Sequence, residues 1–91
     1  MRHSLKTWSS YFEDVANGSK PFEVRKNDRN YAVGDVLVLQ EWDPWGGENL
    51  GVDYEGAYTG ATVNVEITYV LPGGNFGIEP GTVVLGIKLL R

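Results

Sequence analysis

Cysteine is absent from this 91-residue chain, and histidine occurs once, at His3. Without thiols there is no disulfide framework and no thiolate chemistry, and one imidazole cannot assemble the usual nitrogen and sulfur ligand set of a zinc site. No metal and no cofactor are expected. Long apolar runs are missing too: nothing approaches the roughly 18 residues that a membrane span needs. The opening "MRHSLKTWSS" lacks the apolar core of a signal peptide. The expectation is a cytoplasmic protein without membrane contact. Positive charge is scarce, with eight Lys and Arg against twelve Asp and Glu and a net charge of -4. That deficit argues against a protein that grips a long duplex through a broadly basic face.

What is present is enough for one core. A hydrophobic fraction of 42% with 12% aromatics belongs to a folded globule, and the length allows one domain, 1–91, expected to be a monomer. Charge is unevenly spread. Residues 1–29 carry six cations against four carboxylates, a balance of +2, whereas residues 30–91 carry two against eight, a balance of -6. A local electropositive pocket in an acidic protein follows, which suits a small or locally gripped anionic ligand.

One helix is expected in "KTWSSYFEDVANGSK". Trp8, Tyr11, Phe12 and Val15 fall at i, i+3, i+4 and i+7, one face of an α-helix, with Thr7 as N-cap and Gly18 as the left-handed stop. The rest reads as strands. "FEVRK" alternates, with Phe22 and Val24 expected inward and Glu23 and Arg25 outward. In "VGDVLVLQEW", Gly34-Asp35 makes a turn before a strand apolar on both faces at first. "GATVNVEITYVL" places Val63, Val65, Ile67 and Tyr69 on one face, and "GTVVLGIKLL" alternates Val83, Leu85, Ile87 and Leu89. The segments 43–57 and 72–81 read as loops, the second with a tight turn or a short helical turn near Ile78. The sum is an α+β, mainly β fold: a small mixed β-barrel of about five strands capped by one N-terminal helix.

The stretch "GSKPFEVRKNDR", residues 18–29, concentrates the chemistry. Two readings stand side by side. Glu23 and Arg25, two apart on a strand, share a face, and a salt bridge on a solvated surface explains them without any ligand. Alternatively, Arg25 offers a planar fork to a phosphate or a base edge, Glu23 accepts from an exocyclic amine, and Lys20, Lys26 and Arg29 add cations around them. Asn27 and Asp28 suit a turn that Arg29 pins through backbone carbonyls. Trp42 is expected in core or rim packing. Trp45 and Tyr58 are candidate stacking or rim residues, because single-stranded nucleic acid is gripped by exposed aromatics. His3 is expected to tie the N-terminal segment to the barrel. Were the protein an enzyme, Lys20 with Glu23, or Lys20 with Tyr31 or Tyr58 in a metal-free nuclease, would carry the chemistry.

The order of landmarks, "HSLKTW", then "NGSKPFEVRKNDR", "YAVGDVLVLQEWD", "YTG" at 58–60 and "VVLGIK", resembles the ASCH domain family of the PUA-like superfamily. It is most similar to the small bacterial and phage members of unknown function. The likeness covers nearly the whole chain, and Gly18-x-Lys20-x-x-Glu23-x-Arg25 is its most specific part. It implies a β-barrel whose cleft is lined by that segment, among relatives that bind RNA or modified nucleosides. Some bacterial ASCH proteins are amidohydrolases on acylated cytidine, with the pattern Gly, Lys, Thr, Arg and a distant glutamate. Here Gly18, Lys20 and Arg25 match, but Glu23 stands at the threonine, so the hydroxyl nucleophile is missing from that position. The expected function is therefore recognition of RNA or a nucleotide-like ligand by Lys20, Glu23, Arg25, Lys26 and Arg29. Hydrolysis of a modified nucleoside or RNA is the alternative, and a small protein-binding regulator using the acidic 43–57 segment is a third.

Overall fold

The computed structural model describes residues 1–45 and 56–90. Its elements are β1 (Arg2–Trp8), α1 (Ser9–Ala16), β2 (Phe22–Lys26), β3 (Val36–Asp43), β4 (Ala57–Pro72) and β5 (Thr82–Leu89). The five strands form one sheet in the order β1-β3-β4-β5-β2, with β1 parallel to β3 and the other pairs antiparallel. The sheet curls into a half-barrel. The mainly β expectation of about five strands and one helix is what the chain adopts.

The core is built from alternate residues of every long strand. Leu37, Leu39, Val65, Ile67, Val83 and Leu85 are fully buried, joined by Leu5 from β1 and by Phe12 and Val15 from the helix. Period-2 burial of this kind is what one sheet face packed against a core requires. Truncating any of these leucines to alanine removes buried methyl groups and leaves a hole, a loss of about 2–5 kcal/mol.

Two sequence expectations are corrected here. First, "RHSLKTW" is a strand, with His3, Leu5 and Thr7 inward. Its parallel ladder with β3 runs from Arg2↔Val36 to Trp8↔Trp42, so Thr7 is held in a strand and is no helix N-cap. The helix starts at Ser9 behind Trp8, which makes no side-chain cap bond. Trp8 and Tyr11 are consequently exposed, and the buried helix face is Phe12 and Val15. The stop is where the sequence places it: Gly18 sits at φ 86° with its N–H on the Val15 carbonyl at 3.1 Å. Second, Tyr69 leaves the face it shares with Ile67, because the β4–β5 register shifts between Ile67 and Tyr69. Gly86 stands opposite this bulge, where an added Cβ would lie 3.1 Å from the Thr68 hydroxyl. Near Ile78, where a tight turn or a short helical turn is expected, the tight turn forms: Ile78 N–H bonds Asn75 O at 3.0 Å and Gly74 N–H bonds Ile78 O at 2.7 Å. The loop expected over 43–57 falls mostly outside the described residues, including its Tyr54.

Around Asp35 a polar knot pins the start of β1 to the turn before β3. Its carboxylate accepts from His3 Nε2 at 2.9 Å, from the Met1 amino group at 2.9 Å and from Ala32 N–H at 3.1 Å. The His3 bond, then the amino group, hold the Asp35 carboxyl down at about 2. Tyr31 packs edge-on against the His3 ring at 5.0 Å. Burial raises its phenol above the ordinary value, outweighing the pull of Arg29 and Arg25. His3 is thus the structural tie expected of it.

Candidate functional site

The edge strand β2 carries an inversion of the usual rule. Phe22 and Val24, expected inward, are 43% and 53% exposed, while Glu23 is only 3% exposed. The register with β5 is the cause: Glu23 pairs with Leu85 and Arg25 with Val83, both of which face the core. Hydrogen bonds beyond the ends of the strand, Ile87 N–H to Pro21 O at 3.1 Å and Asn27 N–H to Gly81 O at 2.8 Å, hold that register. A slip by one residue would bury Phe22 and Val24 and expel the charges. The Glu23–Arg25 salt bridge forms, but its solvated, outward placement is overturned, since both side chains look into the curl of the sheet.

Inside, the charges are paired. Lys20 Nζ donates to Glu23 Oε1 at 2.9 Å, and Arg25 Nε donates to Glu23 Oε2 at 3.0 Å. Arg25 then reaches across to the opposite edge of the sheet, with Nη1 on the Lys6 carbonyl at 3.0 Å and Nη2 on the Thr7 hydroxyl at 2.9 Å. Arg29 repeats the device, with Nη1 on the Ser4 carbonyl at 3.3 Å. Ser4 and Lys6 are alternate residues of β1, on the edge away from β3. Two arginines of the β2 segment thus supply donors to an edge that no strand covers among the described residues, and side chains bridge the gap between the two edges of the half-barrel.

Between these edges lies a cavity of about 500 Å³ lined by Lys6, Thr7, Trp8, Tyr11, Lys20, Phe22, Glu23, Val24 and Arg25. Its volume is within the range of small-molecule sites. Thr7, Lys20, Glu23 and Arg25, buried or half-buried, make its polar floor, and the exposed Trp8, Tyr11, Phe22 and Val24 are the apolar part of its lining. Lys20 Nζ stands 5.4 Å from the Tyr11 ring centroid and 5.1 Å from that of Phe22, so its ammonium is framed by two rings. Beyond Trp8 the rim continues into Trp42, 5.8 Å away, with Lys6 Nζ 4.4 Å over the Trp42 ring. Trp42 is the half-buried rim residue expected.

Of the residues singled out in sequence, Lys20, Glu23 and Arg25 meet in this cavity. Lys26 is exposed at the end of β2, and Arg29 is spent on β1; neither lines the cavity. Trp45, 63% exposed, sits in a turn where its N–H bonds Asp43 Oδ1. Tyr58 is exposed opposite Trp42 on β4. Neither of these two lines the cavity, nor does the buried Tyr31. The cavity residues that sequence reasoning missed are Lys6, Thr7, Trp8, Tyr11, Phe22 and Val24. The alternation of "HSLKTW" was a usable signal for a strand, and with it for the exposure of Lys6 and Trp8. Among the described residues no group of three or more His, Cys, Asp or Glu is placed to hold a metal ion, and no helix is long and apolar enough to cross a membrane.

Comparison with known proteins joins this cavity to a family. Residues 2–87 match the model of a domain of unknown function, DUF3850. The chain belongs to the DUF3850 family. A similar protein is the "uncharacterized 12.9 kDa protein in GpA 3' region" of Escherichia phage P2, 40% identical over 68 residues, which are 75% of this chain. The chain spans about half the length of that relative, 52%. The DUF3850 match covers β1 to β4 and the helix and reaches into β5, so all the cavity residues fall within it.

Proposed function

We propose that this DUF3850 domain is an ASCH-like module that binds RNA or a nucleotide-like ligand in the cavity between β1 and β2. The observation that carries this reading is the inverted strand. Stability alone favours apolar side chains opposite Leu85 and Val83, and a buried ion pair is worth no more than well-packed hydrophobic residues. A Lys-Glu-Arg row kept there, at the floor of a cavity rimmed by exposed Trp8, Tyr11 and Phe22, breaks the local rule in the way binding sites do. Aromatic rims stack bases, and buried donors read their edges. The net charge of -4 confines the grip to this locus and suits a short contact.

Titration of short single-stranded RNA at one fixed salt concentration tests the reading. Trp8→Ala is expected to weaken binding by about 5- to 150-fold, the worth of one stacked base, and Lys20→Gln to weaken it further while lowering the salt dependence. Unchanged affinity in both variants would refute it.

Hydrolysis of an acylated nucleoside is a second reading, and one observation favours it. The hydroxyl lacking at Glu23 is offered instead by Thr7, buried and bonded to Arg25 in the cavity lining. Turnover of an acylated cytidine that Thr7→Val abolishes would establish it.

A further inference from the structure

We infer that the ligand edge read by this cavity is an imide, a donor N–H between two carbonyls, and that its base is therefore of the uracil type. The inference rests on the nucleotide reading above and narrows it to one base chemistry.

The floor presents a definite order of groups. Lys20 Nζ lies on one carboxylate oxygen of Glu23 at 2.9 Å and Arg25 Nε on the other at 3.0 Å. The row reads donor, acceptor, donor. All three members keep capacity. An ammonium has three N–H donors, and Lys20 spends one on Glu23; a guanidinium has five, of which Arg25 spends its single Nε–H on Glu23 and one each from Nη1 and Nη2 on Lys6 and Thr7, so the donors it keeps for a ligand are the second N–H of Nη1 and of Nη2. A carboxylate has about four lone-pair sites, of which the two bonds to Lys20 and Arg25 leave the rest for a ligand. Among the described residues no buried side-chain nitrogen or oxygen lacks a partner. The floor is thus satisfied at rest, and what a ligand meets is its spare capacity.

The complement of donor, acceptor, donor is acceptor, donor, acceptor. Uracil presents that order along C2=O, N3–H and C4=O. Cytosine presents two adjacent acceptors and then an amine, and adenine an acceptor beside an amine, so either would set like groups against like. Guanine matches at its carbonyl and ring N–H but turns its amine toward a cation. A bare phosphate fits less well still: Glu23, 3% exposed and held between the two cations, would oppose it at hydrogen-bond range. Trp8, Phe22 and Val24 give the faces of a flat, neutral ring an apolar seat.

The test is an NMR or calorimetric titration of the intact chain with uridine, 3-methyluridine and cytidine, and with oligouridylate and oligocytidylate, at one salt concentration. Uridine should bind at least tenfold more tightly than cytidine. Methylation at N3, which replaces the central N–H, should bring uridine down to the level of cytidine or below, and oligouridylate should outrank oligocytidylate. Glu23→Gln should erase the preference; should it fail to fold, the 3-methyluridine comparison on the unaltered chain still decides. Equal binding of uridine and 3-methyluridine, or of uridine and cytidine, would overturn the imide and leave the nucleotide reading standing. Failure of every nucleoside and oligonucleotide to bind would overturn both.

Discussion

Replacing Arg25 by alanine should destabilise the domain by about 2 kcal/mol, and the figure can be assembled from its partners. Removing one member of a buried ion pair costs about 3–5 kcal/mol when the remaining charge has no other help. Glu23 retains Lys20 at 2.9 Å, and a cavity of about 500 Å³ beside it can admit water, so the loss belongs well below that range. The Lys6 carbonyl lies on an exposed strand edge, where water replaces the guanidinium at little loss. The Thr7 hydroxyl is buried and forfeits a charge-assisted bond worth about 1.5–3 kcal/mol at most. For a domain of 91 residues, about 2 kcal/mol lowers Tm by roughly 8–16 °C. Urea unfolding followed by tryptophan fluorescence is the assay, since Trp8 ends the bridged strand β1 and its ring lies 5.8 Å from that of Trp42. Arg25→Lys should recover less than half of the loss, because an ammonium reaches one partner where the fork reaches three. An Arg25→Ala protein that unfolds within about 0.3 kcal/mol of the wild type would refute the idea that this side chain ties β2 to β1. The result matters for function as well: lost RNA binding in Arg25→Ala is interpretable only beside its stability, whereas Trp8 and Tyr11, exposed on the rim, carry fewer ties, a ring contact to Trp42 and one to the Lys20 ammonium.

Asp35 should govern part of the acid response. Its folded value, about 2, lies below the usual 3.8, so its stabilisation is complete above about pH 5 and is lost as pH falls toward about 2. Asp35→Asn should flatten the stability profile across that window and lower stability at neutral pH; an unchanged acid limb in urea melts taken from pH 5 to pH 2 would count against the His3–Asp35 tie. At Gly73 an added Cβ would collide with the Glu79 carbonyl and lie 2.6 Å from the Thr82 carbonyl, both backbone. Gly73→Ala should therefore cost at least the 1–3 kcal/mol of ordinary overpacking, and a Tm equal to that of the wild type would show that the 72–82 turn yields.

Much of the fold was legible because it rests on local periodicity. Val83, Leu85 and Ile87 alternate inward as their spacing says, Leu37 and Leu39 form the centre of β3, and Gly18 ends the helix. Where reading by periodicity failed, two patterns competed for the same residues. Trp8 and Tyr11 satisfy a helical spacing, but the parallel ladder to β3 claims residues up to Trp8 first. In β2 a two-residue period cannot say which phase faces inward; hydrophobicity chose Phe22 and Val24, and pairing with Leu85 and Val83 chose Glu23 and Arg25. Lys20, Glu23 and Arg25 could be named, along with Lys26 and Arg29, because they lie close together in sequence and because Gly18-x-Lys20-x-x-Glu23-x-Arg25 resembles a family motif, whereas Thr7, Trp8 and Lys6, lying 12 to 19 residues before Lys20 to Arg25 in the chain, could join them only once the two sheet edges met.

By itself, then, the sequence determined the mainly β class, the helix stop, the strand cores and the cluster of cations near one end of the chain, since each depends on residues close together in sequence. Only the tertiary structure decided that Glu23 is buried, that Arg25 and Arg29 bridge the open edge of the half-barrel, and that aromatic side chains rim a polar floor. Those outcomes depend on strand order and register, which are set by pairing between distant segments and by the twist that brings β1 and β2 face to face.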